Sequence, residues 1–164
     1  MPSSFASLPA ALQTIQTRPL FVMRLDVKAP LVVGATPGAL RRVGIVPSGT
    51  FAGERLSGVV LDGSSDWQTV RSDGAITLDV RLMLRTHDDV LVTMAYRGLR
   101  HGAPDVIARL DRGEPVDPSE YYFRMTPTFE VAAATPYDWL NRVVAVGTGH
   151  RLPDGPVYSV FEVL

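Results

Sequence analysis

The sequence predicts an all-β protein: a single closed antiparallel β-barrel of about eight to nine strands, with a short N-terminal helix and one short helix in a long loop. Three observations lead there. Gly and Pro supply 27 of 164 residues, a larger share than the roughly 12% usual in soluble domains, which favours turning over long helices. Apolar and polar residues alternate in segment after segment, the two-residue period of a strand with one buried face. Between these segments lie compact turn clusters, Pro47-Ser48-Gly49, Asp62-Gly63-Ser64-Ser65, Ser72-Asp73-Gly74, His87-Asp88-Asp89 and Thr148-Gly149-His150, and connections this short join antiparallel neighbours. Many short strands with scarcely any helix must hide their edges, in a sandwich or in a closed barrel, and the barrel is the reading adopted.

The elements follow in order. Leu8, Leu12 and Ile15 have helical spacing and Pro19 closes the segment, so residues 1–19 read as an N-terminal cap and residues 20–164 as the barrel. Strands are expected at 21–27, 42–46, 55–61, 68–71, 75–85, 90–97, 121–131, 141–146 and 157–163. The long interruption 98–119 carries Val106, Ile107 and Leu110 after Pro104, the pattern of a short helix on a loop that leaves the sheet.

Composition narrows the function classes. The formal charge is −1, which gives no electrostatic reason to expect nucleic acid or an anionic membrane as a partner. Lys28 is the only lysine, leaving little room for Schiff-base chemistry, and with no Cys there is no disulfide, thiolate metal site or cysteine nucleophile. The start Met1-Pro2-Ser3-Ser4-Phe5 shows no signal-peptide pattern, so a cytoplasmic location is expected. His87, His101 and His150 are far apart with no metal-ligand spacing, and no nucleotide-binding or serine-hydrolase motif is present; no metal and no cofactor are expected. A homo-oligomer is expected from the frequency of closed symmetric assemblies.

Several residues could carry chemistry. On the strand 76–85, Ile76, Leu78, Val80, Leu82 and Leu84 form one apolar face, and Asp79 and Arg81 share the other. They are either a solvated surface pair or a polar pair inside the lumen, where an Arg held by a carboxylate orients a substrate carbonyl. Asp66, before Trp67, is either a turn cap or a general base beside an apolar wall. Tyr122 and Arg124 fall on one face, as an oxyanion-binding pair or as ordinary sheet packing. Trp139 and Asn141 share a face at a strand entry, where Asn141 can hydrogen-bond a ligand.

The ordered series Arg41-Arg42 to Gly44, Gly49-Thr50-Phe51-Ala52-Gly53, Leu56-Ser57-Gly58-Val59-Val60, Asp66-Trp67, Asp73-Gly74, Leu78-Asp79-Val80-Arg81, Tyr122-Phe123-Arg124 with Pro127, Phe129-Glu130 and Trp139-Leu140-Asn141 resembles the domain-of-unknown-function family number 3237, over about residues 18 to 164. The resemblance implies a small antiparallel barrel similar in shape to lipocalins, allene oxide cyclase and dirigent proteins, with no established general activity. The family's recurring polar positions map onto Asp66, Trp67, Arg71, Asp79, Arg81, Tyr122, Arg124, Glu130 and Asn141, which implies that Asp79 and Arg81 face inward. The chain departs from the family pattern at Ser64-Ser65, Ser48-Gly49 and Asp88-Asp89-Val90.

The expected function is a cofactor-independent isomerase, cyclase or lyase acting on a small hydrophobic oxygenated ligand in the lumen. In that reading Arg81 and Arg124 bind a carbonyl or enolate oxygen, Tyr122 donates a proton and Asp66 or Asp79 takes one. Trp67, Arg71, Glu130, Trp139 and Asn141 are expected to line the substrate. The alternatives are a lipocalin-like binding protein without catalysis, and an oligomerising structural module whose Asp–Arg pairs are buried staples.

Overall fold

The structure, a computed structural model, describes residues 4–164; the first three residues of the expected cap, Met1 to Ser3, lie outside the described residues. Eleven strands form one antiparallel sheet: β1 (Thr17–Asp26), β2 (Leu31–Ala35), β3 (Leu40–Val46), β4 (Ser48–Ala52), β5 (Ser57–Val60), β6 (Ser64–Val70), β7 (Ile76–Thr86), β8 (Leu91–Gly102), β9 (Tyr121–Val131), β10 (Ala145–Leu152) and β11 (Gly155–Val163). Pairing of β7 with β8 closes the sheet into a ring of eight, β7-β5-β4-β1-β11-β10-β9-β8. The closed barrel is therefore as the sequence predicts.

The other three strands extend the wall at one end. Only Pro47 separates β3 from β4, and only a three-residue turn separates β5 from β6, so each pair is one bent strand. Strand β7 pairs with β6 along its first half and with β5 along its second. Ser64 bridges the break: its hydroxyl donates to the Leu61 carbonyl at 2.9 Å and accepts from the Met83 amide at 3.1 Å. Those are the two backbone groups the bend would otherwise strand. Beyond β3, β2 forms an outer edge.

The lumen is filled by the inward parity of each strand. Met23 and Leu25 of β1, Leu78, Val80, Leu82 and Leu84 of β7, Val92, Met94 and Tyr96 of β8, Phe123, Met125 and Phe129 of β9, and Tyr158 and Val160 of β11 are all buried. Phe21 packs on Phe51 and Phe129 with ring centroids 5.5 and 6.0 Å away. An eight-stranded barrel is just wide enough for side chains to fill it, and here they do so over most of its length.

Several elements differ from expectation. Strands β2 and β4 are not among those expected, and β4 forms where Pro47-Ser48-Gly49 reads as a turn, because that segment pairs with both β1 and β5. The N-terminal helix is two single-turn 3-10 segments, Phe5–Ser7 and Ala10–Leu12. Pro9 drives Leu8 into extended backbone (ψ 152°) and breaks the helical run. Strand β1 begins at Thr17, ahead of the expected boundary, with Pro19 already paired to Phe161. Thr148-Gly149-His150, read as a turn, lies in the middle of β10, whose turn with β11 falls at Pro153-Asp154. The reason is packing: a Cβ on Gly149 would stand 2.6 to 2.8 Å from three atoms of the buried Phe123 ring. The glycine is there for close approach. The expected helix in the long loop is present as α1 (Pro104–Asp111), with Val106 and Leu110 buried beneath it.

Gly149→Ala is expected to force the Phe123 ring aside and to destabilise the barrel by about 1–3 kcal/mol. Thermal unfolding followed by circular dichroism checks it: the melting temperature should fall by several degrees, whereas an unchanged one would mean that Phe123 has room to move.

Candidate functional site at the lumen mouth

Apolar filling stops at the end where β3 and β6 extend the wall. On β6 the pleat sends Ser64, Asp66 and Gln68 inward and Ser65 and Trp67 outward. On β3 it sends Arg42 and Gly44 inward, opposite Gln68 and Asp66 respectively. Arg100 of β8, Arg151 of β10 and Tyr158 of β11 continue the inward parity of their own strands. Together with Leu78, Phe123 and the end of α1 they surround a cavity of about 200 Å³.

Asp66 is the centre of this cavity. It is 9% exposed. Its Oδ2 accepts from the Gln68 amide at 2.6 Å, and the Gln68 oxygen accepts from Arg42 Nε at 2.6 Å. This Arg42–Gln68–Asp66 chain fixes the carboxyl group and leaves its Oδ1 without a partner, and the Nε of Arg100, a residue only 4% exposed, is likewise without one. Two orphaned groups of opposite character at one cavity need an explanation, since leaving such groups unpaired is costly.

Burial pushes the Asp66 carboxyl up to about 6, against the hydrogen bond from Gln68 and the charges of Arg100 and Arg42, which favour the ionised form. Burial also lowers Arg100 and Arg151 from the usual guanidinium range, with Arg42 adding repulsion. The phenols of Tyr96 and Tyr158, 3.2 Å apart, are both held up, chiefly by burial. Tyr158 and Phe123 meet edge to face at 5.3 Å and give the cavity an aromatic wall.

The other residues singled out in the sequence lie elsewhere. Asp79 and Arg81 face outward, contrary to the inward placement implied by the family resemblance, because the apolar parity of β7 takes the lumen. Asp79 pairs with Arg97 at 3.0 Å on the outer wall. Trp67 is 57% exposed beside Asp79, its indole donating to Ser65. Arg71 pairs with Asp73 at the β6–β7 turn at 2.6 Å. Tyr122 and Arg124 do share a face, but it is the outer one: the Arg124 guanidinium sits 5.0 Å from the Tyr122 ring, which stacks on His101. Glu130 accepts from Thr93 on the outside at 3.4 Å. Trp139 and Asn141 lie on a 3-10 turn, Asp138–Arg142, where the expected strand would have begun. There Asn141 bonds both backbone groups of Val131, and Arg55 stacks on Trp139 at 4.0 Å.

Tyr122 and Arg124 border a larger hollow of about 550 Å³ on the outer wall, with Arg97, Leu99, Val146 and Phe161. It arises because β9 and β10 pair at only two positions, Met125 with Gly147 and Arg124 with Thr148. Arg97 and Arg124 there are exposed, whereas Asp66 and Arg100 are buried. Among the described residues no group of three His, Asp or Glu is placed to hold a metal ion, and no helix is long and apolar enough to cross a membrane.

Residues 15–163 match the family described as Protein of unknown function (DUF3237), and the chain belongs to that family. A UPF0311 protein of Rhodopseudomonas palustris is 32% identical over 92% of this chain and 98% of its own. One of Clostridium acetobutylicum is 32% identical over 88% of this chain and 91% of its own. A crystal structure of a conserved protein of unknown function from R. palustris superposes with a TM-score of 0.88 at 32% identity, covering 92% of this chain and 99% of that one. A beta-barrel like protein of Acinetobacter baumannii does so at 0.79 and 35%, covering 92% and 97%. A structure described as an enzyme from Penicillium herquei shares the fold at a TM-score of 0.70 and 16% identity, covering 96% of this chain and all of that one.

The Asp66 environment predicts an unusual pH profile. An unfolded chain loses the Asp66 proton near 3.8 and the folded protein near 6. Between those values the folded state holds a proton that the unfolded state has released, so this group's contribution to stability is full below pH 4, is lost as pH rises towards 6 and is then constant. The loss is about 3 kcal/mol. Asp66→Asn has no such loss, so urea unfolding should find its stability relative to the native protein higher by about that amount at pH 7.5 than at pH 4. An offset that does not vary with pH would contradict the assignment.

Proposed function

We propose that this family member is a cofactor-independent proton-transfer enzyme, of isomerase, cyclase or lyase type, acting on a small oxygenated hydrophobic molecule at the lumen mouth. The observation that carries the reading is Asp66: a buried carboxyl group in the cavity lining, with one oxygen unpaired and a pKa of about 6. Proton transfer is most efficient when the catalytic group titrates near the working pH, because it is then both available in the required form and reactive in it.

In this reading Asp66 Oδ1 removes a proton from a carbon beside a carbonyl and returns it at another position, so that no net proton is consumed. Arg100 Nε donates to the oxygen on which negative charge develops, inside a site that excludes most water, where such a bond is worth more than at the surface. Arg42 acts through Gln68, holding Asp66 in place. Leu78 and Phe123 supply the apolar walls. The oxyanion-binding and acid–base roles expected of Arg81, Arg124, Tyr122 and Asp79 thus pass to Arg100 and Asp66, which stand at the cavity. The barrel shared with the Penicillium herquei enzyme agrees with this reading at the level of fold.

The test is a thermal-shift screen against phenolic, cyclic-ketone, lactone and fatty-acid-derived compounds, with product analysis of each hit. A compound at 100 times its Kd raises stability by about 2.7 kcal/mol. A hit should be chemically converted by the native protein, converted about 10²- to 10⁴-fold more slowly by Asp66→Asn, and converted at the native rate by Asp79→Asn on the outer wall. Hits recovered unaltered, with solvent deuterium not incorporated, would instead mean a lipocalin-like carrier.

A further inference from the structure

Accepting the lumen mouth as the ligand site, we infer that its ligand is a small carboxylic acid, and that Asp111 at the end of α1 occupies the carboxylate position until the ligand displaces it. The charges at the cavity are unbalanced. Lys28, Arg42, Arg100 and Arg151 line it against Asp66 and Asp111, in a chain whose overall formal charge is −1. Positive charge has been gathered into this cavity from three strands, β3, β8 and β10, and from the connection between β1 and β2.

Asp111 answers that charge only loosely. Its Oδ1 lies 3.7 Å from Arg42 Nη2 and 3.8 Å from Arg100 Nη2, beyond hydrogen-bond distance from both. It is the last residue of α1, and Leu110 beside it also faces the cavity. Arg42 already donates Nε to Gln68, and Arg100 Nε has no partner. A planar carboxylate entering between these two guanidinium groups can accept from Arg100 Nε and from the terminal nitrogens, the two-point geometry for which an arginine fork is suited. It would do so at the place where Asp111 now makes contact without bonding.

Size and wall chemistry narrow the class further. A dry cavity of about 150 Å³ holds a benzene ring, and this one measures about 200 Å³. One ring or a short unsaturated chain with a carboxylate therefore fits while α1 stays in place. The rest of such a molecule lies against Phe123, Leu78 and Tyr158, and a hydroxyl or an acidic C–H next to the carboxylate comes within reach of Asp66 Oδ1.

The experiment is calorimetric binding of benzoate and trans-cinnamate, with benzamide and cinnamamide as uncharged counterparts, to the native protein and to Asp111→Asn, Arg100→Gln and Arg42→Gln. At least one acid should bind ten times or more tighter than its amide. Asp111→Asn should tighten the acid several-fold and leave the amide unchanged, because it removes a competing carboxylate. Arg100→Gln, or Arg42→Gln if the former does not fold, should weaken the acid tenfold or more. Amides that bind as well as acids, an Asp111→Asn variant with native acid affinity, or no binding of either acid at millimolar concentration would each overturn the inference. Conversion of a neutral compound that depends on Asp66 would defeat it and leave the proton-transfer reading standing. Tight acid binding with this arginine dependence, but no exchange of substrate hydrogens, would do the reverse.

Discussion

Closing eight strands into a ring commits every second side chain to a space that water does not enter. That commitment governs the rest of the molecule. Wherever inward positions are Leu, Val, Met or Phe, they fill the lumen and bury apolar surface at about 25 cal/mol per Å². Wherever they are polar, they must find partners inside, and at one end of this barrel they are Arg42, Asp66, Gln68, Arg100 and Arg151. Asp66, Gln68 and Arg42 stand on β6 and β3, which extend the wall beyond the closed ring, and it is burial at this end that raises the pKa of Asp66.

The polar end is held by pieces that would be unremarkable singly. Ser64 covers the bend between β5 and β6 and so places Asp66 two residues later on the inward side. Gln68 connects Asp66 to Arg42 and turns a flexible arginine into a support for a carboxyl group. Gly149 lets the Phe123 ring lean across β10 and form the wall beside Arg100. The α1 helix, tied to the barrel by Val106 and Leu110, brings Asp111 to the rim. What these contacts leave open, one carboxylate oxygen and one guanidinium nitrogen, is where a ligand has something to gain.

Much of this was legible in the sequence and some was not. Alternation gives the strands and separates the Ile76 to Leu84 face from the face of Asp79 and Arg81, but by itself it left open which of the two faces the lumen; the family resemblance pointed Asp79 and Arg81 inward, and the unbroken apolar series takes the lumen instead. The same parity, carried along β8 from Val92 through Met94 and Tyr96, lands on Arg100, and along β11 it reaches Tyr158. Those two site residues were within reach of counting. Arg151 was not, because β10 has glycines at inward positions and reads as a turn until the Phe123 ring is seen filling them. Strand β4 was hidden by turn composition at Ser48-Gly49, although that segment pairs with β1 and β5. Asp111 depends on how α1 docks, a tertiary fact with no local pattern. Asp66 was found as a candidate from its Trp neighbour, yet Trp67 points away from it.

Asp66 is a buried carboxyl group with an unpaired oxygen at the lumen mouth, and the proposed chemistry depends on it. The most direct measurement is its titration by carbon-13 NMR of the aspartate side-chain carboxyl resonances, assigned by the signal missing in Asp66→Asn. An inflection at about 6 is predicted. An inflection in the ordinary aspartate range near 3.8 would mean that the group is solvated or paired, and the account of the site would fail with it.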